Sequence, residues 1–306
     1  MTGSDPARRP SRATIVLVFA LLCLIWGSTW AAIQIGLEGV PPFTGVSLRF
    51  AIAALVLGLL IRAQRIPLGR LRHERRLWLI NGLLAFSCSY GVVYWAEQWV
   101  PSGLTSVLFA TYPLFVAILA HFALPEEALT RPEVIGALAG FAGVGLIFSE
   151  DFSALGGPQV ALAAAVMLVA PFVSAVSSVA VKRWGAGVHP YSLSAVPMAM
   201  AAVLMGGVAL AVERERELVW DGVSVGALLY LAILGSVVTF TLYYWLLSHL
   251  PAKRLALIAY IIPLEAVAIG ALRGEPLTLK TLVGSALVIG GVALAAHRLR
   301  GAGARR

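Results

Sequence analysis

Apolar runs of about twenty residues recur from one end of the chain to the other, each long enough for a helix to cross a hydrocarbon core of ~30 Å. Ten such runs are read, at 14–36, 43–62, 77–98, 102–123, 132–149, 159–181, 191–212, 222–247, 255–272 and 279–297. Only short turns separate them, so no stretch is left over for a soluble domain. The chain of 306 residues is 59% hydrophobic and 12% charged, against about a quarter charged for an ordinary globular chain. The expected fold is an all-α polytopic membrane protein with ten transmembrane helices, and its first partner is the lipid bilayer.

The net charge of +8 is a topology signal rather than a nucleic-acid footprint. With the N-terminus placed in the cytoplasm, eighteen of the 23 Lys and Arg residues fall on that side, including the six arginines between Arg62 and Arg76. Only Arg214, Arg216, Arg273 and Lys280 fall outside, and Arg49 lies within a span. Such a split obeys the positive-inside rule, with both termini cytoplasmic. The first run, after Arg8, Arg9 and Arg12, is too long for a secretory leader and lacks a small-residue cleavage site, so it reads as the first span. Cys23 and Cys88 both lie in apolar spans and read as small buried hydrophobes.

The chain repeats itself. Tyr94-Trp95, Pro101 and Pro113-Leu114 recur at an offset of 150 as Tyr244-Trp245, Pro251 and Pro263-Leu264. "EALT" at 127–130 matches "EPLT" at 275–278, Gly136 and Gly143 match Gly284 and Gly291, and Gly39 and Pro42 match Gly187 and Pro190, all at 148. Two units follow, 14–149 and 150–297, between a short tail at 1–13 and a basic tail at 298–306. Each unit holds five spans. Five is odd, so the second unit enters the membrane from the opposite face, as in the inverted repeats of secondary transporters. The six-arginine loop after span 2 and its acidic counterpart "ERERELVWD" after span 7 agree with opposite placement.

"LIWGSTWAAIQ", the "PPFTGVSLRF" entry to span 2, "YPLFVAILA" followed by "EEALT", and "RGEPLT" before span 10 together resemble the EamA family of the drug/metabolite transporter superfamily. The resemblance covers nearly the whole chain in two copies. It implies ten helices, a central cavity between the halves and alternating access for small metabolites, with amino-acid exporters prominent among such proteins. It also places an arginine at position 49, with a shared structural or gating role. One departure is "PEEALT", where a Gly-Glu pair is usual before span 5.

Polar groups inside a bilayer are costly and face a cavity or a partner. Glu265 stands ten residues after Leu255, ~15 Å into its span, near the midplane. Two positions earlier Pro263 removes a backbone donor and bends the helix, so the carboxylate either faces a wet centre or is protonated against a neighbouring helix. Pro113 gives span 4 a matching bend without a matching acid. Both prolines are candidate hinges or fixed bends. Spacings of three and four align Ser87, Tyr90, Tyr94 and Glu97 in span 3, Ser236, Thr239 and Tyr243 in span 8, and Trp26, Trp30 and Gln34 in span 1. Rings at such positions hold apolar side chains or cations, or form an interfacial belt. Tyr94 lies near the outer end and fits either role, whereas Tyr90, Tyr112 and Tyr260 lie deeper and are expected at the cavity. Arg49, ~9 Å into span 2, either meets a substrate carboxylate or snorkels outward.

The leading reading is a secondary transporter or facilitator, an exporter of amino acids or related metabolites in the cytoplasmic membrane of a bacterium, acting as monomer or homodimer. A multidrug cation exporter, an intramembrane enzyme and a structural subunit are the alternatives. The five histidines sit at loops or span ends and never at HExxH spacing, and no P-loop occurs, so neither metal nor other cofactor is expected.

Cysteines placed at Gly39, Gly156 and Gly222 are expected to react with an impermeant thiol reagent from outside the cell, and those at Gly69 and Gly187 are not. External reaction at position 69 would overturn the orientation and the inverted repeat together.

Overall fold

The computed structural model describes residues 10–147, 149, 158–272 and 278–297. Residues 1–9 of the first tail, the tail at 298–306, Gly156, Arg273 and the "RGEP" motif with Glu275 lie outside the described residues. The helices are α1 (Arg12–Leu37), α2 (Pro42–Ala63), α3 (Arg72–Ala96), α4 (Ser102–Ala123), α5 (Arg131–Ile147), α6 (Pro158–Trp184), α7 (Pro190–Val212), α8 (Gly222–His249), α9 (252–272) and α10 (Leu279–His297). No strand occurs among the described residues. The helix bounds follow the apolar runs of the sequence to within a few residues. Seven, namely α1 to α4 and α6 to α8, are long and apolar enough to cross a membrane.

Local chemistry sets the ends. Ser11 caps α1 by accepting from Thr14 N at 3.1 Å, and Asp221 caps α8 by accepting from Ser224 N at 2.7 Å. Pro42 and Pro190 open α2 and α7 at the first turn, where the missing N–H costs nothing. Two glutamates, one from each repeat, each cap a helix of the other repeat. Glu213 accepts from Phe43 N and Thr44 N, both at 2.8 Å, and Glu127 accepts from Ala252 N at 2.9 Å and Lys253 N at 3.2 Å. Each carboxylate meets the positive end of a helix. The "PEEALT" turn thus acquires a role: its second glutamate ties α9 to the loop before α5.

Helices α3 and α8 each widen to a π-turn near mid-length, at Asn81–Ser89 and Ile233–Val238. In both, a serine hydroxyl donates five residues back: Ser87 to Gly82 O at 2.7 Å and Ser236 to Leu231 O at 2.9 Å. Both donor and acceptor pairs are related by an offset of 149, between the values of 148 and 150 that match the flanking motifs. The repeat therefore extends to a helical irregularity.

Helices α5 and α10 pack backbone to backbone. A Cβ added to Gly136 would sit 2.5 Å from Gly291 O, and one on Gly291 the same distance from Gly136 O. Gly143 and Gly284 are reciprocal in the same way, at 2.6 and 2.7 Å. Residue numbers rise on one helix as they fall on the other, so these repeat-equivalent helices run antiparallel. The glycines matched between the repeats thus meet one another within the molecule. Among α2 and α7, Ser47 Oγ donates to Ala202 O at 2.8 Å while Thr44 meets Glu213, again an antiparallel pairing.

Because the nearest atom facing Gly143 is the backbone oxygen of Gly284, it cannot swing away. Gly143→Ala is expected to lower stability by about 1–3 kcal/mol, the range for overpacking a close contact, measured as thermal unfolding in detergent. Gly207→Ala, whose Cβ meets nothing within 4 Å, is the neutral control.

Candidate functional site

A cavity of about 100 Å³ lies among the helices. Its walls come from α1 (Trp26, Thr29, Trp30, Ile33), α3 (Ala85, Ser89, Tyr90, Val93), α4 (Phe109, Tyr112), α6 (Ser174, Ser177, Ser178), α8 (Phe240, Tyr243, Tyr244) and α9 (Ile258, Ala259, Ile262). These are the first, third and fourth helices of each repeat. Trp26, Thr29 and Trp30 fall onto Ser174, Ser177 and Ser178 at the offset of 148, so equivalent stripes face each other with different chemistry. None of the lining side chains is charged.

Rings make most of the surface. Trp26 packs against Phe240 and Tyr243 with centroids 5.5 and 5.3 Å apart, and Trp30 against Phe109 at 5.5 Å. The polar part is a hydroxyl cluster: Tyr112 and Tyr243 meet OH to OH at 2.7 Å, and both donate to Ser178 Oγ, at 2.8 and 2.9 Å. Ser174 Oγ donates to Ser89 Oγ at 2.9 Å. The cluster joins α4, α6 and α8 across the two repeats.

Asn81 sits behind this wall, fully buried. Its Nδ2 donates to Tyr244 OH at 3.0 Å and to Leu193 O at 3.1 Å, and its Oδ1 accepts from Ser177 Oγ. The bond to Leu193 has a specific cause. Pro197 lies inside α7 and has no N–H to give the carbonyl four residues earlier. Asn81 supplies that donor from another helix.

Of the residues expected to form the site, the structure brings Trp26, Trp30, Tyr90, Tyr112 and Tyr243 to the cavity. Tyr260, Tyr94, Thr239, Gln34, Arg49, Glu265, Pro113 and Pro263 are not among its lining residues. Tyr260 is buried with its OH donating to Ala137 O at 2.7 Å, its ring over Gly140, where an added Cβ would lie 2.9 Å from it. The missing side chain at 140 draws the ring away from the centre. Thr239 is buried in α8. Glu265 lies one turn beyond Ile262 on α9, with Oε2 in the space that a Cβ on Gly27 would occupy. Helix α4 is interrupted at 110–111, just before Pro113, whereas Pro263 lies within a continuous helical segment, Ile258–Leu272.

Arg49 does not snorkel outward. It is 1% exposed and held by protein: Nε donates to Ser236 Oγ at 2.8 Å, one terminal nitrogen to Gly235 O at 2.9 Å and the other to Tyr94 OH at 3.3 Å. The guanidinium also stands over the Tyr90 ring, 4.8 Å from its centroid. A buried arginine needs its donors filled, and the π-turn of α8 presents a carbonyl and a hydroxyl where they are required. The sequence reading also passed over Asn81 and the serines of α6, although the spacing 174, 177, 178 on an apolar span was a usable signal.

Apolar helices surrounding an aromatic, uncharged cavity define an integral, multi-pass membrane protein. The chain belongs to the EamA-like transporter family, whose model matches residues 13–149 and 161–296, once for each repeat. The uncharacterized transporter YoaV of Bacillus subtilis is 28% identical over 284 residues, covering 91% of this chain and 95% of that protein. The uncharacterized inner membrane transporter YedA of Escherichia coli K12 is 32% identical over 268 residues, covering 85% and 83%. One solved crystal structure shares the fold, with a TM-score of 0.74 over 93% of this chain and 99% of its own, at 22% identity. The protein is therefore a membrane transporter of this family.

Asn81→Ala is expected to leave Leu193 O, Tyr244 OH and Ser177 Oγ without their shared partner. Removing one partner from a buried hydrogen bond costs about 1–3 kcal/mol, and a purified variant should unfold correspondingly earlier. An unchanged melting temperature would show that the network contributes nothing.

Proposed function

We propose that this transporter exports small metabolites, amino acids foremost, across the cytoplasmic membrane of a bacterium by alternating access of the central cavity. The architecture that goes with this reading is ten spans in two inverted five-helix repeats, with both termini in the cytoplasm. The carrying observation is that the cavity is bounded by the same three helices of each repeat. Rocking one half against the other would then open it to either side in turn. The antiparallel, reciprocal packing of α5 on α10 supports an inverted relation between the halves.

The lining suits a compact molecule with an apolar part and hydrogen-bonding groups: rings take the former, and Tyr112, Tyr243 and Ser178 take the latter. Glu265, a turn beyond, would attract an ammonium group. A second reading, export of an organic cation, gains from one observation. Arg49, one candidate for receiving a substrate carboxylate, is held by three hydrogen bonds to protein partners. Rings and a nearby carboxylate suffice for a cation.

Uptake and efflux in proteoliposomes separate the two readings, with labelled L-leucine and L-phenylalanine against labelled methyl viologen. Flux of the amino acids is expected. Flux of methyl viologen alone would establish the cation reading instead. Glu265→Gln keeps shape but removes charge, and affinity for an aminated substrate should fall ~10-fold if the ion contributes ~1.4 kcal/mol. Gly27→Ala should displace the flexible carboxylate at little cost in stability and weaken binding in the same direction. Parental affinity in both variants would remove Glu265 from the mechanism.

A further inference from the structure

Glu97, at the end of α3, is 5% exposed, and neither carboxylate oxygen has a hydrogen-bond partner among the described residues. An ionised carboxylate so placed is costly: without donors or a counter-ion, burial favours the neutral acid. Arg49 attracts it electrostatically but does not contact it as an ion pair. Arg49 instead spends its donors on Ser236 Oγ and Gly235 O, both in the π-turn of α8, and on Tyr94 OH, one turn before Glu97 on the same helix. One arginine thus stands between two claimants, a carboxylate of its own repeat and a bulged turn of the other.

We propose that Glu97 is the proton-binding residue of the transport cycle, protonated while Arg49 is engaged with α8 and deprotonated to pair with Arg49 when that turn withdraws. The inference rests on the alternating-access reading, in which α8 belongs to the half that moves. In the step, the Glu97 O–H bond breaks, the proton passes to water on the side then open, and the carboxylate accepts from the guanidinium in place of Gly235 O and Ser236 Oγ. The return step takes a proton from water. A pairing of this kind in low dielectric is strong when its geometry is good, and it makes substrate movement depend on a proton.

Near this end, helix α2 brings Arg49 alone, α3 adds Tyr90 and Tyr94, and residues 158–167 of α6, packed on the end of α3, include no ionisable group. Arg216 is occupied at the exposed Gln98 Oε1, 2.7 Å away, and Glu213 is held by Phe43, Thr44 and the Thr44 hydroxyl.

The test uses the full chain in proteoliposomes and begins without substrate. In a Cys23→Ala, Cys88→Ala background, Ile262→Cys on the cavity wall is labelled by an impermeant thiol reagent at pH 6 and pH 8. The labelling rate should change several-fold between these values, Glu97→Gln should abolish the change, and Glu97→Asp should retain it with a displaced midpoint. A second arm compares L-leucine counterflow at equal pH with uphill flux driven by a pH gradient. The Gln variant should keep the first and lose the second. A pH-independent labelling rate in the parent, or a Gln variant that keeps the parent's response, would overturn the proposal. If labelling depends on Glu97 and leucine is not moved by any variant, the proton site stands and the amino-acid reading falls.

Discussion

A carbonyl that loses its helical donor inside a membrane has no water to fall back on, and leaving it bare costs several kcal/mol. That constraint accounts for the irregular parts of this molecule. The π-turns of α3 and α8 are closed by Ser87 and Ser236. Pro197 strips a donor from Leu193, and Asn81 crosses from another helix to supply one. Gly235 is served by Arg49, and the carbonyls of Leu247 in α8 and of Leu250 just after it are met by Lys182 Nζ at 2.8 and 2.7 Å. Most of these donors bridge two helices, so satisfying the backbone also fixes how the helices sit around the cavity.

The same residues explain why helix positions were legible in the sequence and their interior connections were not. Apolar length, proline at first turns, and the paired "YW…P…PL" motifs depend on local composition, and the helices follow them closely. A π-turn has no such signature. Its sequence, "NGLLAFSCS" in α3 and "ILGSVV" in α8, reads as ordinary apolar helix, and only the serine five residues after the freed carbonyl marks it. Arg49 could be singled out as a costly buried ion, but its partner lies 187 residues away on a turn whose geometry was invisible.

Tyr260 and Tyr112 make the contrast within one residue type. Both are deep tyrosines on repeat-related helices, and both invited placement at the cavity. Tyr112 reaches it because Ser178 and Tyr243 offer hydroxyl partners there. Tyr260 turns outward because Gly140 leaves room for a ring and Ala137 leaves a carbonyl within reach. Depth was readable. Direction required knowledge of the neighbour that lacks a side chain.

The facing stripes of the cavity, Trp26-Thr29-Trp30 and Ser174-Ser177-Ser178, carry a consequence for how such a protein can change over generations. Had the two halves remained separate copies of one polypeptide, any substitution would strike both walls at once, and a bulky ring gained on one side would crowd its twin on the other. Fusing the copies into a single chain frees each wall to vary alone. Large rings on one side are matched by small hydroxyls opposite, and the volume between them can be retuned one residue at a time. The scaffold keeps the memory of symmetry while its interior has a left and a right, so an asymmetric solute can enter with a defined head and tail.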